Sequence, residues 1–395
     1  MDFDCEAGMP KDDESEPLRG VSPETLAAQA LGRIDPETRA VVPPIHVSTT
    51  YQRDADNGYS SGNIYSRADN PTYDQPEALL TALEGGADAL VFSSGMAAAT
   101  ALFQALEPGD HVIAPKVMYW SLRKWLGGMA TRWGLDVDLV DMSDMDALAN
   151  AVRRGETKLV WAETPANPLW TITDIEAAAE IANGAGARLA VDSTVATPVL
   201  TRPLSLGADI VMHSATKYLN GHSDVIAGAL VAARDDDFWQ RVRAVRAEVG
   251  GVPGPFEAAQ LLRGMRTLYL RVERSCASAQ MIAERLAGHK AAAEVLYPGL
   301  AGHPGHDIAK RQMQGGFGGM LSIRVKGGVD AAIGTAARVS IWKRATSLGG
   351  VESFIEHRAS IEGTDSPVPG NLLRLSVGIE DPDDLIADLE QALAG

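Results

Sequence analysis

Short apolar runs alternate with amphipathic segments from residue 88 to about residue 233. Runs such as "DALVFSS", "DHVIAP" and "ARLAVDST" have the length of buried strands, and segments with helical spacing of apolar residues lie between them. Strands that are apolar at nearly every position are typical of a parallel or mixed sheet covered by helices on both faces. The pattern therefore predicts an α/β domain that extends to about residue 255.

The pattern changes on both sides of this region. Before it, "SPETLAAQALGR" predicts a short helix with a serine cap, and a polar, tyrosine-rich loop follows. After it we expect one long amphipathic helix in "PFEAAQLLRGMRTLYLRVERSCASAQMIAERLAG", then strands and helices that end in "DPDDLIADLEQAL". The predicted segments are a disordered acidic leader (1–20), an N-terminal arm (21–64), a large domain (65–255) and a smaller α+β C-terminal domain (256–395).

Composition excludes several classes of protein. The chain has 395 residues, 45% of them hydrophobic, and a formal net charge of -17, which disfavours binding to nucleic acid or to anionic membranes. The apolar runs are too short or too interrupted to predict a membrane span. The two cysteines, Cys5 and Cys276, form neither a disulfide framework nor a metal-binding spacing. We therefore expect a cytoplasmic protein that binds neither nucleic acid nor membrane.

Common nucleotide, hydrolase and metal motifs do not account for the chain. It contains no P-loop and no G-x-S-x-G elbow, and "GGFGGM" lacks the strand-turn-helix context of a dinucleotide fingerprint. The "HPGH" stretch has no third ligand nearby, so we interpret it as a polar turn and expect no metal.

Polar residues instead cluster where predicted strands end, which is where open α/β sheets bind ligands. Lys217 lies between two apolar runs, in a position that suits an amine nucleophile better than a surface lysine. Asp192 and Asn167 follow two other strands, and a helix opens at Ser94-Gly95-Met96. A lysine for a Schiff base, a carboxylate for a pyridine nitrogen, and a helix N-terminus for a phosphate are the parts of a pyridoxal phosphate (PLP) site.

Several blocks carry a wider resemblance over about residues 24–392: "AVVPPIHVSTTY", "YSRADNPT", "VFSSGMAA", "ETPANP", "HSATKYLNGHSDVIAG", "LRGMRTL", "SLGGVES" and "RLSVGIE". In these blocks the chain resembles the PLP-dependent Cys/Met-metabolism (transsulfuration) family. The resemblance implies a fold-type-I PLP-dependent transferase, similar to aspartate aminotransferase. Its large PLP domain has a mostly parallel sheet, and a smaller α+β domain follows. It also implies a homotetramer, built as a dimer of dimers with shared active sites.

The resemblance assigns cofactor contacts to the matching residues of this sequence. Lys217 matches the Schiff-base lysine and Asp192 the partner of the pyridine nitrogen. Tyr119 matches the tyrosine that stacks on the ring and is a candidate acid or base. The phosphate ligands of the same subunit match the backbone of Gly95 and Met96 and the hydroxyls of Ser214 and Thr216.

Two further groups of residues follow from the resemblance. Tyr65 and Arg67, in "YSR", match a pair that reaches the phosphate from the neighbouring subunit. Asn167 matches a residue near the ring hydroxyl and the substrate. Ser347 and Arg374 match the clamp for the substrate carboxylate, a role that suits a guanidinium.

Two positions depart from the family pattern and bear on specificity. Trp120 follows Tyr119 where many members have glycine. Thr346, a substrate-site position, stands where cystathionine γ-synthases and γ-lyases commonly have glutamate. A substrate's distal ammonium group therefore loses a negative partner at this position. The alternative is that another acid, such as Glu352 or Asp54, takes over the role.

The implied function is β- or γ-elimination, or γ-replacement, on a small sulfur-containing or O-acylated amino acid. A cystathionine γ-synthase or γ-lyase type fits best, and a cystathionine β-lyase or methionine γ-lyase type is the alternative. Two other classes stay open: a PLP-binding protein without turnover, and an aminotransferase on the same fold. The blocks around Tyr65, Arg67 and Ser347 disfavour the aminotransferase.

Overall fold

The computed structural model describes residue 18 and residues 20–363 and 367–395, so the predicted acidic leader lies almost wholly outside the described residues. Helix α1, Pro23–Gln29, forms where the sequence predicts it, and the Ser22 side chain caps it by accepting a hydrogen bond from the Thr25 amide. A short 3-10 helix, Ala30–Gly32, follows, and the rest of the arm has extended and turn conformations up to the start of the large domain.

A seven-stranded sheet forms the centre of the large domain. Its elements in chain order are α2 (Pro71–Glu84), β1 (Asp88–Phe92), α3 (Gly95–Gln104), β2 (His111–Pro115), α4 (Trp120–Trp125), β3 (Asp136–Val140), α5 (Met145–Ala151), β4 (Thr157–Glu163), α6 (Ile175–Gly184), β5 (Arg188–Asp192), α7 (Thr197–Leu200), β6 (Ile210–His213), β7 (Gly228–Ala232) and α8 (Asp237–Val245). The strand order is β1-β7-β6-β5-β4-β2-β3. Strand β7 is antiparallel to both of its neighbours, and the other adjacent pairs are parallel.

Helices cover both faces of this sheet, as the apolar strands predict. One face packs on α3, α4 and α8, where Leu102, Leu122 and Val242 are fully buried. The other face packs on α2 and α6, and the residues of β2, β6 and β7 are buried throughout. The predicted α/β fold class is confirmed.

A second, five-stranded sheet follows. The elements are α9 (Pro255–Met265), α10 (Leu268–Ala287), β8 (Ala292–Leu296), α11 (His306–Gln312), β9 (Met320–Val325), α12 (Gly328–Arg338), β10 (Lys343–Arg344), β11 (Phe354–His357), α13 (Ala359–Glu362), β12 (Leu372–Ser376) and α14 (Pro382–Ala394). Its order is β10-β11-β12-β9-β8, antiparallel except for β10 with β11. Helix α10 contributes Val272 to the core of the large domain and Leu286 to the core beneath this sheet. The domain boundary at residue 255 stays a prediction.

The expectation of one long helix after residue 255 is wrong, because Thr267 has a non-helical conformation and separates α9 from α10. Helix α9 lies against the segment after β6: a Cβ atom on Gly264 would come within 2.3 Å of the Asn220 carbonyl oxygen. Arg271 in α10 donates hydrogen bonds of 2.7 Å to the carbonyl oxygens of Gly264 and Tyr218. The break therefore lets both helices hold the segment that carries the candidate lysine.

Candidate active site

A cavity of about 480 Å³ lies where β4, β5 and β6 end, between the large sheet and the second sheet. It is lined by every residue that the sequence assigns to the site except Tyr65 and Arg67. These lining residues are Gly95, Met96, Tyr119, Asn167, Asp192, Ser214, Thr216, Lys217, Thr346, Ser347 and Arg374. A larger cavity of about 1150 Å³, beside α2 and α8, contains none of them.

Lys217 lies in the turn after β6, with its amine directed toward the second sheet. Its Nζ atom donates a 2.9 Å hydrogen bond to Ser347 Oγ. Burial lowers the pKa of Lys217 to about 8, and the positive charge of Arg374 contributes to this shift. A larger fraction of the amine is therefore unprotonated at neutral pH than in an exposed lysine, as a nucleophile or base requires.

Asp192 is the last residue of β5 and faces the same cavity. Its Oδ1 atom accepts hydrogen bonds from the Thr194 amide (3.0 Å) and the Thr194 hydroxyl (2.5 Å), which fix the orientation of the carboxyl group. Within the described part of the chain, its Oδ2 atom has no hydrogen-bond donor. Burial raises the pKa of Asp192. A protonated ring nitrogen is a partner that would satisfy the second oxygen.

Another part of the cavity wall is formed by the start of α3. The amide groups of Gly95 and Met96 belong to the first turn, where an α-helix leaves its N–H groups available to an anion. A Cβ atom on residue 95 would come within 2.7 Å of Ser214 Oγ, so glycine allows the turn after β6 to lie against this helix. The Thr216 hydroxyl is fixed by 3.0 Å hydrogen bonds with the Ala227 backbone. This part of the wall fits a phosphate group.

Glu163 is a site residue that the sequence reasoning missed. It ends β4, and its two carboxylate oxygens accept hydrogen bonds from the Tyr119 amide (2.7 Å) and the Asn167 amide (2.9 Å). Burial raises the pKa of Glu163 to about 8, and the nearby charge of Asp192 adds to the effect. One carboxyl group thus orients two predicted site residues. An acidic residue at the end of the apolar run "LVWAE" was the available signal.

Arg374, on β12, brings the second sheet into the site. Its guanidinium donates to the Ser347 carbonyl oxygen (2.8 Å) and to Asn167 Oδ1 (3.2 Å). Burial lowers the pKa of Arg374 to about 10, which still leaves it charged at neutral pH. Ser347 has a φ angle of +89°, a left-handed conformation that is uncommon for a residue with a side chain.

Sequence reasoning also missed Arg358, which lines the cavity beside Arg374.

Tyr65 and Arg67 are not brought to the cavity within one chain. Tyr65 is 47% exposed, and the Arg67 guanidinium lies over its ring, 5.4 Å from the ring centre. Arg67 Nε donates to the Ala247 carbonyl oxygen at 2.9 Å. Tyr65 and Arg67 therefore do not contribute to the cavity of their own chain. Their contribution to the site of a neighbouring subunit stays a prediction.

The two positions that depart from the family pattern, Trp120 and Thr346, both line the cavity. The Tyr119 and Trp120 rings meet edge to face, with centres 6.5 Å apart. Of the two acids considered as substitutes at position 346, neither Glu352 nor Asp54 lines the cavity.

Comparison with known proteins decides the family. The family described as "Cys/Met metabolism PLP-dependent enzyme" matches residues 24–394. The chain belongs to this family. It is 47% identical over 382 residues to cystathionine gamma-synthase of Mycobacterium tuberculosis, covering 95% of this chain and 98% of that one. It is 41% identical to cystathionine gamma-lyase of Dictyostelium discoideum, covering 91% and 94%.

The solved structures agree with this family. Cystathionine gamma synthase from Xanthomonas oryzae pv. oryzae, in complex with cystathionine, superposes with a TM-score of 0.90 at 39% identity. The match covers 95% of this chain and 98% of that one. The fold-type-I architecture, the enzyme class and the PLP cofactor predicted from the sequence are thereby confirmed.

As a member of the PLP-dependent family, the chain has a cavity whose residues fit the cofactor. Three features line this cavity: a lysine with a lowered pKa, a buried carboxylate with one oxygen lacking a donor among the described residues, and a helix N-terminus made accessible by glycine. These three features correspond to the aldehyde, the ring nitrogen and the phosphate of PLP.

Proposed function

We propose that the protein is a cystathionine γ-synthase, which joins an O-acylated homoserine to the thiol of cysteine. One cavity holds Lys217, Asp192 and Arg374, and this observation carries the proposal. Support for the reaction type comes from the 47% identity, over nearly the full length of both chains, with a mycobacterial cystathionine gamma-synthase. In the net reaction, the Cγ–O bond breaks and a Cγ–S bond forms. The acyl group leaves as a carboxylate, and the thiol proton passes to solvent.

Bound PLP would supply an electron sink for the negative charge left when protons are removed from the substrate carbons. We assign its ring nitrogen to Asp192 and its phosphate to the amides of Gly95 and Met96 with the hydroxyls of Ser214 and Thr216. Asn167 lies near the ring hydroxyl in this assignment. Tyr119, oriented by Glu163, covers the ring face.

Lys217 moves the protons in this proposal. Its Nζ atom accepts the Cα proton of the substrate, and a pKa of about 8 suits a group that must both accept and release a proton near neutral pH. Ser347 Oγ orients the amine through the 2.9 Å hydrogen bond. Tyr119 is the second acid or base candidate.

Arg374 holds the α-carboxylate of the substrate in this proposal. Asn167 Oδ1 and the Ser347 carbonyl oxygen each accept a hydrogen bond from the guanidinium and restrict its orientation. The Nε atom and one N–H of Nη1 have no acceptor among the described residues, so they can donate to a substrate carboxylate.

We also propose a cytoplasmic homotetramer in which Tyr65 and Arg67 complete the site of a neighbouring subunit. Ile226, at the wall of the cavity, is 67% exposed, and several apolar side chains of the arm, including Val41 and Val47, are exposed as well. Exposed apolar side chains at the cavity wall and on the arm support coverage by another subunit. In the described part of the chain, no helix has the length and apolar character needed to cross a membrane.

The second candidate function is C–S bond cleavage in cystathionine. Its support is the 41% identity with a cystathionine gamma-lyase and the 39% identity with a cystathionine beta-lyase of Coxiella burnetii. Both candidates use the same assigned roles for Lys217 and Arg374, and they differ in whether a thiol replaces the leaving group.

The test is a comparison of two reactions with the purified, PLP-loaded protein. With O-succinyl- or O-acetyl-L-homoserine and cysteine, we expect cystathionine as the main product. With cystathionine alone, we expect slower release of 2-oxobutanoate or pyruvate. The reverse order of rates would support the lyase. Lys217→Ala is the control: turnover should fall by about 10³-fold or more, and borohydride should no longer fix PLP to the chain.

A further inference from the structure

A buried chain of ion pairs begins at the cavity wall, where Arg374 and Arg358 line the cavity. Glu356 accepts two hydrogen bonds at the same atom, Oε2: one from Arg374 Nη2 (2.6 Å) and one from Arg358 Nη1 (2.8 Å). Arg358 Nη2 also donates to Glu362 Oε1 at 2.7 Å. The four side chains are between 2% and 7% exposed.

Glu356 and Arg374 cannot move apart, because they lie directly opposite each other on β11 and β12. Neighbouring side chains in such a pair are held within contact distance. Without Arg358, the described partner of the Glu356 carboxylate would be Arg374 alone. A carboxylate and a guanidinium that face each other in this way form a two-fold hydrogen-bonded pair. That pair would occupy the donors that a substrate carboxylate needs.

Arg358 competes with Arg374 for this carboxylate, because its Nη1 atom donates to the same Glu356 Oε2 atom. Its own guanidinium is held by two carboxylates, and its positive charge contributes to the lowered pKa of both Arg374 and Lys217. Arg358 therefore lies close to the reacting groups, although its hydrogen bonds point to Glu356 and Glu362 rather than into the site.

We infer that Arg358 is a positioning residue: by sharing Glu356 Oε2, it keeps the Arg374 guanidinium available for the α-carboxylate of the substrate. The inference rests on the proposed role of Arg374 as the carboxylate clamp. It does not depend on which sulfur chemistry follows binding.

The test uses two unreactive ligands that differ only in the α-carboxylate, L-norleucine and 1-pentylamine. Their dissociation constants are measured by calorimetry with the PLP-loaded protein. In Arg358→Met, the dissociation constant of norleucine should rise by about 10-fold, the loss expected when a charge-assisted contact is weakened. That of pentylamine should change by less than about 2-fold.

Two double variants separate hydrogen-bond sharing from net charge. The native cluster contains two arginines and two glutamates, so its charges balance. The double variant Arg358→Met/Glu362→Gln keeps one arginine and one glutamate, so the net charge of the cluster is unchanged. Norleucine affinity should still fall. Arg358→Met/Glu356→Gln also leaves one of each but removes the competing carboxylate, so norleucine affinity should recover to within about 3-fold of the native value.

An equal loss for both ligands, or no loss in the charge-balanced variant, would overturn the inference. Thermal unfolding confirms that each variant is folded. If Arg358→Met does not fold, Arg358→Lys retains the charge but cannot bridge both carboxylates, and it should lose norleucine selectively. A native protein that makes no cystathionine, while its variants still lose norleucine selectively, would refute the proposed reaction and leave the inference intact.

Discussion

Lys217 Nζ and Ser347 Oγ are joined by a 2.9 Å hydrogen bond that connects the turn after β6 to the loop between β10 and β11. The candidate base is therefore oriented by a residue that is 130 positions away in the sequence. This contact and the burial of the amine act in opposite directions on proton affinity, because a hydrogen-bond acceptor favours the charged amine and burial disfavours it.

Lys217 should titrate near pH 8 in protein from which PLP has been removed, because burial lowers its pKa to about that value. Competitive acylation followed by mass spectrometry should show its labelling rate rising through that pH, whereas ordinary lysines respond at about pH 10.4. Ser347→Ala removes the acceptor and should move the midpoint lower. A midpoint that coincides with the ordinary lysines would contradict the assignment.

The same shift predicts a pH dependence of stability. The folded state binds fewer protons at Lys217 than the unfolded state between about pH 8 and 10.5, so its contribution to the free energy of unfolding should increase with pH across that range. Comparing urea unfolding of PLP-free protein with that of Lys217→Met isolates this contribution. The native protein should gain stability relative to the variant as the pH rises.

Glu163→Gln should disturb Tyr119 and Asn167 together. Glutamine has one acceptor oxygen where the two carboxylate oxygens of Glu163 now accept from two backbone amides, and its NH₂ group would face an N–H donor. We expect a loss of about 1–3 kcal/mol in unfolding free energy and a clear fall in kcat. Glu176→Gln, at the surface of α6, is the matched control. Unchanged turnover in Glu163→Gln would argue against an orienting role.

Because the pKa of Glu163 is about 8, the native protein and the Glu163→Gln variant should also differ in how their free energy of unfolding depends on pH. A carboxyl group with a raised pKa contributes stability at low pH, and this contribution is lost as pH rises from its unfolded value of 4.5 through about 8. The glutamine variant should lack that decline. Parallel stability curves for the two proteins over this range would contradict the shift.

Mixed oligomers test the proposal that Tyr65 and Arg67 act on a neighbouring subunit. Neither side chain lines the cavity of its own chain. Arg67→Ala and Lys217→Ala proteins should each be nearly inactive. Dissociation and reassembly of a mixture should restore part of the activity, because some sites receive both native residues. Absence of recovery in oligomers shown by mass spectrometry to be mixed would count against a shared site.

Thr346→Glu tests the specificity of the cavity toward a distal ammonium group. Thr346 lines the cavity but supplies no negative charge, and a charge-assisted hydrogen bond contributes about 1.5–3 kcal/mol. We expect kcat/KM for cystathionine cleavage to rise by about 10-fold in the variant, whereas Thr346→Gln should give little gain. A native protein that already cleaves cystathionine efficiently, with no gain in the variant, would contradict this prediction.

The sequence by itself determined the alternation of strands and helices in the large domain and the cofactor, and it predicted residues that line one cavity. Apolar runs of strand length mark buried strands because covered parallel strands exclude polar residues on both faces. The strands and helices end or begin close to three site residues, Lys217, Asp192 and Gly95. Ligands of α/β sheets bind at such strand ends, so the residue type and its place in the local pattern were enough to predict these residues. Local signals are sufficient for this part.

Only the tertiary structure decided the parts that depend on contacts distant in sequence. The break between α9 and α10 lies at Thr267, near the close approach of Gly264 to Asn220, whereas the apolar spacing continues across it. Glu163 and Arg358 were missed for the same reason. Their importance lies in partners such as Tyr119 and Arg374, and a charged side chain acquires a fixed role and a shifted pKa only when folding removes water from around it.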